Sequence, residues 1–219
     1  MANGKFHLPT GRLIAVAVAA GMFAGALGVY VMGGSSGNNT AQLSTAESSC
    51  AAKQPRADRV NEAATGEVAA MMGAKPPRPL HDLKFNSPDG VPMSVADLSG
   101  KLVLLNLWAT WCAPCRHEMP ALNQLQEELG SESFEVVAVN VDTGGDEKPK
   151  AFLQETGVDA LGYYRDATLG LFNDLKRQGL ALGLPVTLLI DEEGCMLASM
   201  NGPAEWASQD AKNLIAAAR

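Results

Sequence analysis

Residues 101–108 (KLVLLNLW) form a nearly continuous apolar run that leads, after Ala109 and Thr110, into Trp111-Cys112-Ala113-Pro114-Cys115. A run of that length without polar alternation reads as a central strand buried on both faces, and such a strand requires a sheet covered by other elements. Helical spacing begins at once at residues 113–129, so two cysteines separated by two residues fall in the first turn of a helix. The rest of residues 80–219 alternates strand and helix patterns around this unit. Residues 83–85 and 91–93 flank Ser87-Pro88-Asp89-Gly90, a hairpin signal, and 94–98 read as one helical turn. Residues 134–141 and 186–191 read as strands, 195–200 as an antiparallel partner, and 147–156, 169–176 and 204–217 as helices.

Three effects meet at the cysteine pair. The unpaired N–H groups and positive dipole end of a helix start stabilise a thiolate at Cys112, which makes it a nucleophile near neutral pH. The i, i+3 spacing brings both sulfurs to one face, so Cys115 can close a disulfide on Cys112. Pro114 stiffens the turn where its missing N–H costs nothing. Covalent haem attachment would need His at position 116, which is Arg, and structural zinc would need a second pair of ligands, whereas Cys50 and Cys195 stand far apart. A peroxidatic cysteine would want Pro-xxx-Thr-xx-Cys, yet Thr110 lies only two residues before Cys112. Copper held by Cys112, Cys115 and His117 stays open. Dithiol–disulfide exchange fits best, with no cofactor and no resident metal.

Composition closes other routes. Against 24 acidic residues the chain has 17 Lys and Arg, a net charge of −7, and so lacks the basic face that nucleic acid demands. Four cysteines in 219 residues cannot be a disulfide framework. No charged residue occurs between Arg12 and Glu47, and residues 13–32 (LIAVAVAAGMFAGALGVYVM) are long and apolar enough for a transmembrane anchor. Lys5 and Arg12 put residues 1–12 in the cytoplasm, and the rest outside it, by the positive-inside rule. A cleaved signal peptide is the competing reading, but Met32-Gly33-Gly34 is a poor cleavage site. Residues 33–54 read as a flexible tether, and 55–79 as a helix, starting at Pro55 and running to 72, followed by a Pro-rich extended entry to the domain.

The segment WCAPCRHEMP, the preceding LLNLWAT and the later Gly183-Leu184-Pro185-Val186-Thr187 resemble the membrane-anchored periplasmic thioredoxins of the TlpA/ResA type, over about residues 55–219. The resemblance implies an α/β thioredoxin fold, a central mixed sheet flanked by helices with an N-terminal β-hairpin extension, preceded by one transmembrane helix. It implies that Pro185 is a cis-proline facing the disulfide. It further implies a thiol:disulfide interchange protein of the inner membrane, with its domain in the periplasm, that reduces protein disulfides in cytochrome oxidase or cytochrome c biogenesis. The implied partners are a copper-delivery protein or oxidase subunit, apocytochrome c and a membrane electron donor. Thioredoxin itself carries a buried Asp on the strand before its cysteines; here that position is Asn106, which cannot exchange a proton. Glu118 resembles the acid this family uses instead, although its spacing alone fits a solvated helix residue almost as well.

Among the remaining residues, Trp111 is expected to shield the disulfide and contact substrates, and Trp108 to pack in the core. Leu184 either lines a substrate groove or is an ordinary loop leucine. Arg116 and His117 are expected on the solvated face, and Tyr163-Tyr164 in the core. Outside the cytoplasm two leftover cysteines tend to pair, so Cys50 and Cys195 are expected to form a structural disulfide. Two other classes of function stay open: a copper metallochaperone using the cysteine pair, and a non-catalytic binding module.

Overall fold

The computed structural model describes residues 45–219. Along them run α1 (Gln54–Ala63), β1 (Met72–Pro79), β2 (Lys84–Asn86), β3 (Pro92–Ser94), β4 (Leu102–Trp108) and α2 (Ala113–Leu129). They are followed by β5 (Phe134–Asn140), α3 (Glu147–Glu155), β6 (Tyr164–Arg165), α4 (Gly170–Arg177), β7 (Val186–Ile190), β8 (Cys195–Asn201) and α5 (Gln209–Ala217). One mixed sheet takes all eight strands in the order β1-β8-β7-β4-β5-β6-β2-β3. Strand β4 is buried at every position, since it lies inside the sheet between parallel β5 and antiparallel β7. That placement is why its sequence shows no polar alternation.

Register fixes which end of the sheet carries the chemistry. Leu107 pairs with Val186, so the start of β7 lies beside the end of β4, where the cysteine turn begins. Val103 pairs with Ile190, so the β7–β8 turn lies at the opposite end. The β2–β3 hairpin forms one edge of the sheet, closed by Gly90 at φ 76°, a left-handed conformation that glycine adopts without steric cost. A capping box between Ser94 and Asp97 starts the 3-10 turn Val95–Leu98.

The N-terminal elements differ from the sequence expectation. The helix expected to run from residue 55 to 72 stops at Ala63, and a 3-10 turn, Gly66–Val68, follows. Gly66 sits at φ 52°, a left-handed conformation that a continuing α1 could not contain, and the Glu67 N–H beside it donates to Asp210 Oδ2. Val60 is buried from α1 itself, and Val68 and Met71 are buried all the same, because the turn rather than a longer helix brings them to the core. The Pro-rich entry is itself strand β1, paired antiparallel with β8. Residues 45–51, read from composition as tether, are helical, and Cys50 among them is buried.

This N-terminal segment is strapped to the β7–β8 turn. Cys50 and Cys195 are joined by a disulfide across 145 residues. Lys53 Nζ lies 2.9 Å from Asp191 Oδ2 and 2.8 Å from Glu193 Oε1, which gives the buried Asp191 its counter-charge. Arg56 donates to both Glu192 carboxylate oxygens at 2.9 Å and, through Nε, to the Ala218 carbonyl at 2.6 Å. Among the described residues no helix is long and apolar enough to cross a membrane. The expected anchor at 13–32 lies outside them, as do residues 1–12 and the first part of the expected tether.

Candidate active site

Cys112 is the N-cap of α2. Its backbone is extended (φ −89°, ψ 100°), and its Sγ accepts the Cys115 backbone N–H at 3.2 Å, a bond that satisfies one orphan donor of the helix start. The two cysteines form a disulfide with Cα atoms 5.3 Å apart. Cys112 is 6% exposed and Cys115 is fully buried, so a partner molecule can approach only the first sulfur. The loop feeding them is clamped by Asp142 just past β5: its carboxylate accepts the Thr110 N–H at 2.9 Å and the Thr110 hydroxyl at 2.7 Å. Asn140 Nδ2 donates to the same carboxylate at 2.7 Å. Sequence reasoning missed this clamp, because it acts across 32 residues between two short polar side chains of ordinary type.

The Leu184–Pro185 peptide is cis, and Pro185 stands immediately before β7, at the same end of the sheet as the cysteine turn. Leu184 is half-buried, while Trp111 is 66% exposed. Trp108 is buried with its ring 5.6 Å from that of Phe152. Arg116 is exposed at residue level, with its guanidinium 5.2 Å over the Phe152 ring. His117 is exposed, Tyr164 buried and Tyr163 half-buried. Among the described residues no group of three or more His, Cys, Asp or Glu is placed to hold a metal ion.

Glu118 lies one helical turn beyond Cys115 and is 1% exposed. Its Oε1 accepts from Asn106 Nδ2 at 2.8 Å; its Oε2 accepts from the Ala204 backbone N–H at 3.1 Å and from Trp206 Nε1 at 3.0 Å. Burial pushes its carboxyl up to about 7, against the pull of those three hydrogen bonds, which favour the charged form. Trp206 is fully buried in the segment before α5, which starts at Gln209 rather than at the expected residue 204. Nothing in the sequence links Trp206 to Glu118, since the contact spans 88 residues.

A raised carboxyl sets a pH dependence of stability in the disulfide form. Below about pH 4.5 folded and unfolded chains both hold the proton. Between there and pH 7 the unfolded chain releases it while the folded chain keeps it, so stability falls as pH rises and levels off above 7. The full penalty is on the order of 3 kcal/mol. Glu118→Gln is therefore expected to remove a downward slope over this window in urea-unfolding free energies, and parallel curves for the two proteins would contradict it.

A thiol pair at a helix start, one sulfur reachable and one buried, with a cis-proline alongside on a mixed sheet, defines a thioredoxin-fold thiol:disulfide oxidoreductase. The family model described as Redoxin matches residues 75–215. The chain is 37% identical over 131 residues to the thioredoxin-like protein YneN of Bacillus subtilis, covering 58% of this chain and 70% of that one. To the thiol-disulfide oxidoreductase ResA of the same organism it is 34% identical over 134 residues, covering 58% and 68%. A thiol:disulfide interchange protein of the thioredoxin family from Chlorobium tepidum superposes with a TM-score of 0.53 at 29% identity, over 65% of this chain and 97% of that one. The chain belongs to the Redoxin family, among the thiol-disulfide oxidoreductases of the TlpA/ResA type.

Proposed function

We propose that the protein is a membrane-anchored reductant of protein disulfides outside the cytoplasm, acting in cytochrome oxidase or cytochrome c biogenesis. The observation that carries this reading is the pairing of a reachable Cys112 with a buried Cys115 and a buried Glu118 one turn further on. In the reduced protein the Cys112 thiolate attacks a client disulfide, forming a mixed disulfide and expelling one client thiolate. Glu118 takes the proton of Cys115, and the resulting thiolate attacks Cys112 Sγ, releasing the second client thiolate and leaving Cys112–Cys115 oxidised. Two electrons pass to the client, and a membrane electron donor restores the dithiol.

Exposed Trp111 and half-buried Leu184, held in place by the buried cis-Pro185, form the surface against which the client chain lies. The clients are a copper-delivery protein or oxidase subunit, with apocytochrome c next. The apolar run 13–32 with Lys5 and Arg12 before it supports an inner-membrane anchor. The Ala-Pro dipeptide between the cysteines resembles that of reductants, so the pair is expected to have a standard reduction potential below about −200 mV, measured by equilibration with a glutathione or thioredoxin couple. A value near −120 mV would reverse the direction. A copper metallochaperone predicts instead that the reduced protein retains copper tightly and reduces no model disulfide.

A further inference from the structure

The shell around Glu118 is made of donors. Trp206 Nε1 and the Ala204 backbone nitrogen can only donate, and both point at Oε2. Asn106 presents Nδ2 to Oε1, and the same nitrogen donates to Thr187 Oγ1 at 2.9 Å, its neighbour across the β4–β7 ladder. The arrangement suits a carboxylate and has no acceptor for a carboxylic acid. Asn106 is itself fully buried, and its Oδ1 has no hydrogen-bond partner. No partner therefore holds the far side of this amide, and its orientation is set by Glu118 and Thr187 alone.

Of the three donors to Glu118 only an amide can change sign. Turning the Asn106 side chain over about χ2 puts Oδ1 where Nδ2 was, opposite Glu118 Oε1 and Thr187 Oγ1. A protonated carboxyl then donates to Oδ1, and the Thr187 hydroxyl can do the same. We propose that Asn106 is a positioning residue whose amide turns over when Glu118 takes up a proton, offering Nδ2 to the carboxylate and Oδ1 to the acid. The thioredoxin aspartate position thus keeps a part in proton exchange through a group that carries no proton of its own. The inference rests on the proposed role of Glu118 as proton partner of Cys115.

No charged side chain acts on Glu118; burial and the hydrogen bonds from Asn106, Trp206 and Ala204 set its titration. Asn106 faces it from the sheet side, backed by Thr187, and Trp206 and Ala204 face it from the segment before α5; on α2 the neighbouring Arg116 and His117 are exposed to solvent, and Cys112 and Cys115 carry protons only when reduced. In the disulfide form neither cysteine titrates, which isolates Glu118.

The test is NMR of the full chain in nonionic micelles, in the disulfide form, with the Asn106 side-chain amide and the Glu118 carboxyl carbon followed together. On the alkaline side of Glu118's titration the Asn106 NH2 protons are expected to show NOEs to Thr187, and these are lost on the acid side with the carboxyl's own midpoint. Glu118→Gln, whose NH2 donates permanently, is expected to hold Asn106 in the acid-side orientation at every pH. Asn106 NOEs that stay constant while the carboxyl carbon titrates would overturn the turnover. Pre-steady-state kinetics of Glu118→Gln separate the two ideas: if its pH profile for mixed-disulfide resolution matches the parent's, the proton role of Glu118 fails, whatever Asn106 does.

Discussion

A Cys115→Ser variant mixed with an oxidised client is expected to stall as a covalent mixed disulfide through Cys112, while Cys112→Ser loses exchange altogether, by on the order of 10³-fold or more. The two cysteines differ because the fold treats them differently. Cys112 Sγ accepts the N–H of Cys115 at the helix start and is the sulfur that reaches the surface. A thiolate there is stabilised by the same N–H and by the helix dipole, whereas a serine hydroxyl stays protonated at neutral pH and does not attack. Cys115 is fully buried, so it meets only a sulfur already attached to Cys112. Removing it leaves the first attack intact and abolishes the release step. Non-reducing gels and mass spectrometry of membranes expressing Cys115→Ser would identify the trapped client. Traps formed equally well through Cys115 in a Cys112→Ser chain would refute the order of attack.

The other large effect concerns stability. Replacing Cys50 or Cys195 by serine is expected to destabilise the protein by about 5 kcal/mol, because the bridge closes a loop of 145 residues and constrains the unfolded chain accordingly. For a domain of this size that corresponds to a melting temperature lower by roughly 10–20 °C. The reduction potential of the Cys112–Cys115 pair should stay where it was. Ile190 pairs with both Val103 and Met196, which puts Cys195 at the start of β4, about 20 Å along that strand from the cysteine turn. Calorimetry and redox titration on one preparation read both quantities. A shift in potential comparable with the loss of stability would mean that the strap and the site are coupled. Alkylation of the oxidised parent without reductant should label no cysteine.

Local signals carried the strand–turn–helix unit. Strand β4 sits between two neighbours and is apolar throughout, and a helix start two residues after Trp111 needs only its own cap and Pro114, so both are written in consecutive residues. The hairpin of β2 and β3 was legible for the same reason, through Pro88-Asp89-Gly90. Strand β1 was not: three prolines in Lys75–Pro79 argue against a strand until β8 supplies a partner for an edge position. The end of α1 at Ala63 was not legible either; the left-handed Gly66 follows it, and the Glu67 N–H there bonds to Asp210 Oδ2, on a residue 143 positions further along the chain.

The sequence by itself determined a buried strand delivering two cysteines to a helix start, an apolar stretch of membrane-spanning length, and a second pair of cysteines outside it. Helical spacing put Glu118 on the face of Cys115, yet spacing says nothing about what covers a face. Only the tertiary structure decided that this face is closed by Trp206 and Ala204 from one side and Asn106 from the other. A carboxyl's proton affinity is set by loss of water and by the donors around it, and both come from residues distant in sequence.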